Sequence, residues 1–164
     1  MPTPDWEERV AAAWASFGER TDDENRALID ALAAELPEGS AEASFERACA
    51  FDSTDGSELA VPLYREALAR GLPVARRRRA VIQLASSLRN IGKAEESVAL
   101  LTEELDAGSD ELDHAVRAFL ALALTDVGRD REAVSHALGA LAPHLPRYQR
   151  SLAAYAQALV EDEN

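Results

Sequence analysis

Apolar residues recur at helical spacing along most of the chain. The first segment shows this best, with large apolar residues at steps of four, four and three that share one helix face: Trp6, Val10, Trp14 and Phe17. Ala and Leu dominate the apolar positions, whereas β-branched residues are sparse and no segment alternates as a half-buried strand does. The pattern predicts an all-α chain of about nine helices.

The first two predicted helices form an N-terminal pair. One spans about residues 5–19, and the next begins near residue 22 and ends before the Pro-Glu-Gly break at 37–39. Ser40 follows the break and is suited to cap a third helix. We therefore expect residues 1–39 to be a helical pair that either caps the rest of the fold or is a degenerate repeat.

From residue 40 onward the pattern repeats. Two Ile/Val-Gly-Lys/Arg turns, at 90–93 and 126–129, lie 36 residues apart, and each is flanked by Ala/Leu-rich helices. At this offset the same residue types coincide: Leu84 with Leu120, Ala85 with Ala121, Leu88 with Leu124, Gly92 with Gly128, Glu96 with Glu132, and Val98 with Val134. An earlier copy at 44–69 aligns with one extra residue. The sequence therefore predicts three helix-turn-helix repeats within residues 40–146.

Small residues occupy matching places in the three copies. They lie where two antiparallel helices must approach closely: Ala48, Ala85 and Ala121 in the first helices, and Ala60, Ser97 and Ala133 in the second. One such hairpin cannot bury its own apolar face, so neighbouring hairpins must stack.

A final helix at about 147–160 is predicted to cap the stack. Residues 147–164 are therefore expected to form a capping helix with an acidic tail, and the whole chain is expected to be one structural domain.

The repeats carry the residues of a known motif. Ala60, Tyr64, Ala67 and Pro73 match the small, aromatic, small and proline positions of the tetratricopeptide repeat, and segment 60–101 resembles the bacterial tetratricopeptide group 5 family. The resemblance covers about residues 40–145. It implies a tetratricopeptide-like solenoid, an α-α superhelix of antiparallel helix pairs, whose first helices line a concave groove. It also implies a non-enzymatic scaffold for protein–protein interaction.

Charge is distributed unevenly along the chain. The net charge is −13, which argues against nucleic-acid binding because phosphate backbones require a positive face. Between residues 65 and 93, however, eight basic residues stand beside one acidic residue, and four of them form the run 76–79. Consecutive helical residues are about 100° apart, so these four arginines cannot all face one way.

The resemblance places one polar, positive strip in the groove. Its predicted members come from the middle repeat and are Arg79, Gln83, Ser86, Arg89 and Asn90, with Phe45 and Cys49 beside them from the first repeat and Phe119 and Leu122 from the third. Arginine pairs bidentately with carboxylates, so the strip is predicted to bind an acidic peptide or a carboxylate terminus. The alternative is that these arginines pair with acidic residues of the protein itself, or are solvated.

No pattern of residues indicates catalysis. His114, His136 and His144 do not stand with Cys or carboxylate ligands at the fixed spacing of a zinc site and are interpreted as surface or helix-end residues. The Asp-Ser-Thr-Asp-Gly turn at 52–56 lacks the closing Glu of a calcium loop. Cys49 is interpreted as a half-buried thiol, with redox sensing as the alternative. We therefore expect no enzyme activity, no metal and no cofactor.

Three functional hypotheses follow, and the third, an enzyme or small-ligand sensor, is one that no pattern of residues supports. The first is a scaffold that binds a partner protein or acidic peptide in the groove. The second is self-association into a homodimer, through groove residues such as Phe119 and Leu122 or through an open end. The single cysteine suits a reducing compartment, and the chain shows neither a signal-peptide pattern nor an apolar run of about 20 residues, so we expect a cytoplasmic protein without membrane contact.

Overall fold

The computed structural model describes residues 2–161, and within that range the chain forms nine α-helices and no strand. Their bounds are α1 Pro4–Ala15, α2 Asp22–Ala33, α3 Ala41–Asp52, α4 Ser57–Ala69, α5 Val74–Asn90, α6 Ala94–Ala107, α7 Asp113–Asp126, α8 Asp130–Leu141 and α9 Gln149–Glu161. The all-α prediction is thus confirmed. Residues 162–164 of the predicted acidic tail lie outside the described residues.

Local side chains set the ends of the early helices. Thr21 and Glu24 form a reciprocal capping box at the start of α2, and the Ser40 hydroxyl accepts a hydrogen bond from the Ala43 amide at 3.3 Å, as its position predicted. The first helix ends at Ala15 rather than near residue 19. There the Ser16 hydroxyl donates to the Ala12 carbonyl, and the chain continues as a short 3-10 turn.

The predicted small residues are buried where helices pair. Ala48 of α3 and Ala60 of α4 are fully buried in one pair, while Ala121 of α7 and Ala133 of α8 are buried in another. The turn between α7 and α8 contains Gly128 with φ of 75°, a left-handed conformation that glycine adopts without steric cost. The helix-pair packing of the repeat therefore follows from residue size at these positions.

The chain divides into two compact units at α5. The first unit runs to Ser87 and contains α1 to α4 with most of α5; the second unit begins at Leu88. In the first unit, Trp6, Ile29 and Leu32 belong to one buried cluster, and the Trp6 indole nitrogen donates to the Leu32 carbonyl at 2.8 Å. In the second unit, α6 packs on α7, α7 on α8 and α8 on α9, around buried Leu120 and Leu124.

Among the helices within residues 2–161, none is both long and apolar enough to cross a lipid bilayer.

Candidate functional site

The arginine run at 76–79 opens helix α5 and points in several directions. Arg78 is buried, Arg76 is half-buried, and Arg77 and Arg79 are exposed. This spread follows from the 100° step of the helix. The four side chains therefore lie in different environments.

Arg76 is bound within the first unit. Its two terminal nitrogens donate to the Glu7 carboxylate at 2.9 and 2.5 Å, and its Nε donates to Glu46 at 3.3 Å. The guanidinium carbon also lies 5.8 Å from the centroid of the Trp6 ring. Arg76 thus links α1, α3 and α5, and for this arginine the internal-pairing alternative is the one that the structure shows.

Glu46 is the buried acid of this network. Only 4% of its surface is exposed, and its carboxylate accepts a second hydrogen bond from the Trp14 indole nitrogen at 2.8 Å. Burial raises the pKa of Glu46, while the hydrogen bond from Trp14 and the charge of Arg76 act in the opposite direction. Because a buried carboxylate depends on such partners, the role of Arg76 is structural.

Arg79 has a different environment. Its side chain is exposed, and its guanidinium carbon lies 5.4 Å from the centroid of the Phe45 ring, within the range of a cation–π contact. Among residues 2–161 no carboxylate lies within ion-pair distance of it, although its charge acts on Glu46 through space. Arg79 is therefore an exposed arginine that lies over an aromatic ring and has no carboxylate partner in the described chain.

Gln83 and Ser86 follow Arg79 at helical spacing. Residues 79, 83 and 86 are separated by four and three positions, so they share one face of α5. Gln83 and Ser86 are half-buried, and the Gln83 carbonyl oxygen is the acceptor for the Cys49 thiol at 3.6 Å. We call the surface formed by Arg79, Gln83 and Ser86 the α5 surface.

Phe45 and Cys49 differ from the expectation that they line an open groove. Phe45 is fully buried, with its ring tilted against Tyr64 at a centroid distance of 6.2 Å, and Cys49 is buried rather than half-buried. Phe45 is covered by its contact with Tyr64, and the small Cys49 side chain is covered where its thiol meets Gln83. Phe45 and Cys49 therefore contact Arg79 and Gln83 of the α5 surface, but they are too buried to contact a partner themselves.

The burial of Cys49 leads to a prediction about its reactivity. Burial, and the nearby Glu46 carboxylate, raise the pKa of the Cys49 thiol to about 12, so the reactive thiolate is almost absent at neutral pH. We expect the native protein to react with Ellman's reagent at least about a hundredfold more slowly than the urea-unfolded protein. Rapid reaction of the folded protein would contradict the buried placement and revive the redox-sensor alternative.

The other predicted groove residues belong to the second unit. Arg89 forms an ion pair with Asp126 at 2.5 Å, so its charge is neutralised within the protein. Asn90 is exposed, Phe119 is half-buried, and Leu122 is 48% exposed. Of the two arginines in the predicted strip, only Arg79 has no carboxylate partner in the described chain. The positive charge that the strip offers to a partner is therefore that of Arg79 alone.

Sequence reasoning missed two features. One is the Arg76 network, because Glu7, Glu46 and Arg76 are far apart in the chain and no short motif joins them. The other is a polar cleft in the second unit between α7, α8 and α9, which contains His114 and His136. The available signal would have been a polar stripe on α8 at residues 132, 135 and 136, followed on the same helix face by a glycine at 139.

Metal binding finds no support among the residues that the structure describes. No group of three or more His, Cys, Asp or Glu side chains is arranged to hold an ion there. His114 and His144 contact each other edge to face, with ring centroids 4.9 Å apart, in a ring-packing arrangement.

Comparison with known proteins gives the family. No curated protein matches the chain. The family model described as Tetratrico peptide repeat, of the group 5 type, matches residues 41–159, which is most of the chain and includes all three predicted repeats. The predicted family resemblance, which covered about residues 40–145, is confirmed, and the match extends further, to residue 159. Together with the helix pairs and the buried small residues, this match shows that the chain belongs to the tetratricopeptide repeat family of group 5.

Proposed function

We propose that the protein is a non-enzymatic scaffold that binds an acidic segment of a partner protein on the α5 surface. Tetratricopeptide repeats commonly serve in protein–protein interaction, which supports the general class. The observation that carries the specific proposal is Arg79: an exposed guanidinium on the Phe45 ring, with no carboxylate of the described chain in ion-pair distance.

The geometry favours a carboxylate as the group that Arg79 binds. The planar guanidinium presents parallel donors that match a carboxylate bidentately, and stacking on Phe45 limits the side-chain freedom that binding would otherwise remove. The Gln83 amide and Ser86 hydroxyl lie further along the same face and offer neutral hydrogen bonds to the adjoining peptide. An acidic peptide with a polar residue near its carboxylate therefore suits the surface.

The self-association alternative has a weaker basis. It depends on the groove residues Phe119, which is half-buried, and Leu122, which is exposed, or on an open end. Exposed apolar residues that are scattered singly are ordinary on a protein surface. We also place the scaffold in the cytoplasm, because its only cysteine is a buried thiol and not part of a disulfide.

The proposal is tested by changing Arg79 alone. Against a panel of fluorescent peptides matched in length but acidic, neutral or basic, we expect the wild type to prefer the acidic peptides. Arg79→Glu should weaken that binding at least about tenfold, since a charged hydrogen bond contributes about 1.5–3 kcal/mol. Arg79→Lys should weaken binding less, because lysine keeps the positive charge but lacks the two parallel N–H donors of the guanidinium.

A matched control comes from α9. Arg150 is exposed and makes no ion pair within the described part of the chain, so Arg150→Glu produces the same change of net charge at a different place. If Arg150→Glu weakens acidic-peptide binding as much as Arg79→Glu does, the effect is one of net charge and the α5 surface is not the binding site.

A further inference from the structure

The second unit contains a cleft whose chemistry differs from that of the α5 surface. It has a volume of about 860 Å³ and lies among residues of α7, α8 and α9. This is within the range of about 300–1,000 Å³ that is typical of small-molecule sites. His114 and Arg117 contribute from α7, Ser135 and His136 from α8, and Ala156 and Val160 from α9. We call it the C-terminal cleft.

Arg117 is the cation of the C-terminal cleft. Its side chain is half-buried and has no hydrogen bond or ion pair to any of residues 2–161. A terminal nitrogen lies beside the α8 backbone at Gly139, where a Cβ atom would be 4.0 Å away. A Cβ at that distance would make only an ordinary van der Waals contact, but a longer side chain at 139 would occupy the space beside the guanidinium.

The acidic residues near Arg117 are already bound elsewhere. Glu132 accepts two hydrogen bonds from Arg129, both at 2.6 Å, and this pairing lowers its pKa. Asp113 accepts a hydrogen bond from the Asp110 amide at 3.2 Å and another from the Ser109 hydroxyl at 2.5 Å. The carboxylates of the cleft are thus partnered, whereas its cation is not.

Two histidines add buried polar atoms without protein partners. The Nδ1 atoms of His114 and His136 are both buried, and neither has a hydrogen-bond partner in the described chain. Burial, together with the nearby Arg117 charge, lowers the pKa of His136, so its ring is neutral at physiological pH. Buried polar atoms without a partner are uncommon in proteins, because such an atom has lost its hydrogen bonds to water without gaining a replacement.

The α9 wall of the C-terminal cleft is mostly apolar, with Gln157 as its polar member. Ala153, Ala156 and Val160 follow one another on one face of α9, and at 1.5 Å per residue they extend over about 10 Å. A ligand that satisfies both parts of the cleft needs an anionic head and an apolar tail. A doubly charged phosphate is disfavoured, because Asp110, Asp113 and Glu132 also border the cleft.

We propose that the C-terminal cleft binds a free monocarboxylic acid, with the carboxylate on Arg117 and the apolar tail along α9. The rings of His114 and His136, whose buried Nδ1 atoms have no partner in the described chain, and the Ser135 hydroxyl supply further hydrogen bonds to the head group. This ligand site shares no residue with the α5 surface. Loss of peptide binding at the α5 surface would therefore not affect the binding of a free acid in the C-terminal cleft, and the reverse also holds.

The test uses octanoate as the probe and isothermal titration calorimetry on the full chain. We expect saturable one-to-one binding of octanoate, no measurable binding of octanamide, which has the same tail without the charge, and no binding of inorganic phosphate. Arg117→Gln should weaken octanoate binding at least about tenfold, the loss of one charged bidentate contact. Arg150→Gln, an arginine of α9 outside the cleft, should leave it unchanged.

A second variant separates binding from folding. Gly139→Leu keeps every charge but fills the space beside the Arg117 guanidinium, and it should also abolish octanoate binding while the circular dichroism spectrum is retained. Equal binding of octanoate and octanamide, or unchanged binding in a folded Arg117→Gln, would overturn the site. Binding of a peptide with a free C-terminal carboxylate, but not of octanoate, would overturn the assignment to a free acid.

Discussion

Arg76→Met should lower the free energy of unfolding by about 3 kcal/mol, toward the lower end of the range for breaking a buried ion pair. The substitution leaves the Glu46 carboxylate with 4% of its surface exposed and only the Trp14 indole as a donor. Glu7, in contrast, is partly exposed and regains water, so the loss arises mainly at Glu46. Urea unfolding, with a check that the m-value is unchanged, measures the effect.

The double variant Arg76→Met with Glu46→Gln is the matched control. A neutral amide still accepts the Trp14 hydrogen bond but has no charge to desolvate, so the double variant should recover about half or more of the lost stability. If the double variant is less stable than Arg76→Met alone, the loss comes from the packing of Arg76 on Trp6 and not from the buried charge.

The stability loss of Arg76→Met should also depend on pH. Burial already raises the pKa of Glu46 in the folded protein, and removing Arg76 raises it further. Between the unfolded value of about 4.3 and the folded value, the folded state binds more protons, so lowering the pH favours folding. The deficit relative to wild type should therefore be largest at neutral pH and shrink as the pH falls toward about 4.3, and the double variant should not show this trend.

Ala121→Trp should prevent the second unit from folding cooperatively. Ala121 is buried in the α7–α8 pair, and adding even a few methylene groups to a packed core costs about 1–3 kcal/mol. An indole is much larger, so the expected loss exceeds that range. Thermal unfolding followed by circular dichroism should show a strongly lowered or absent transition.

Ala118→Trp is the matched control on the same helix. Ala118 is exposed, so an indole there can extend into solvent and should change the free energy of unfolding by no more than about 0.5 kcal/mol. An Ala121→Trp variant that unfolds at the wild-type temperature would show that the small residue is not required, and the assignment of the repeat positions would have to be revised.

Local features of the fold were predictable from sequence because they depend on nearby residues. Ser40 was identified as a cap from its position after the 37–39 break, and its hydroxyl accepts the expected amide hydrogen bond. The small residues of the repeats, including Ala48 and Ala60, were identified by their spacing, and they are buried where helices pair. Helix α1 ends earlier than its apolar stripe suggests, since a hydroxyl bond at Ser16 competes with its continuation.

The candidate site was predicted less well because it depends on long-range contacts. The sequence indicates that the arginines 76–79 must diverge, but not that Arg76 meets Glu7 and Glu46 or that Arg79 lies over Phe45. Arg89 was predicted to contribute positive charge, whereas its pairing with Asp126 depends on how α7 lies beside the end of α5. Periodicity shows which face a residue occupies; the identity of its neighbour on another helix requires the tertiary structure.

The most direct test of the proposed function is to locate a bound acidic peptide by NMR. In heteronuclear correlation spectra of isotope-labelled protein, titration with the tightest acidic peptide should shift the amides of residues around Arg79, Gln83 and Ser86, and these shifts should disappear in Arg79→Glu. Shifts that lie elsewhere, or that persist unchanged in a folded Arg79→Glu variant, would contradict the assignment of the α5 surface as the binding site.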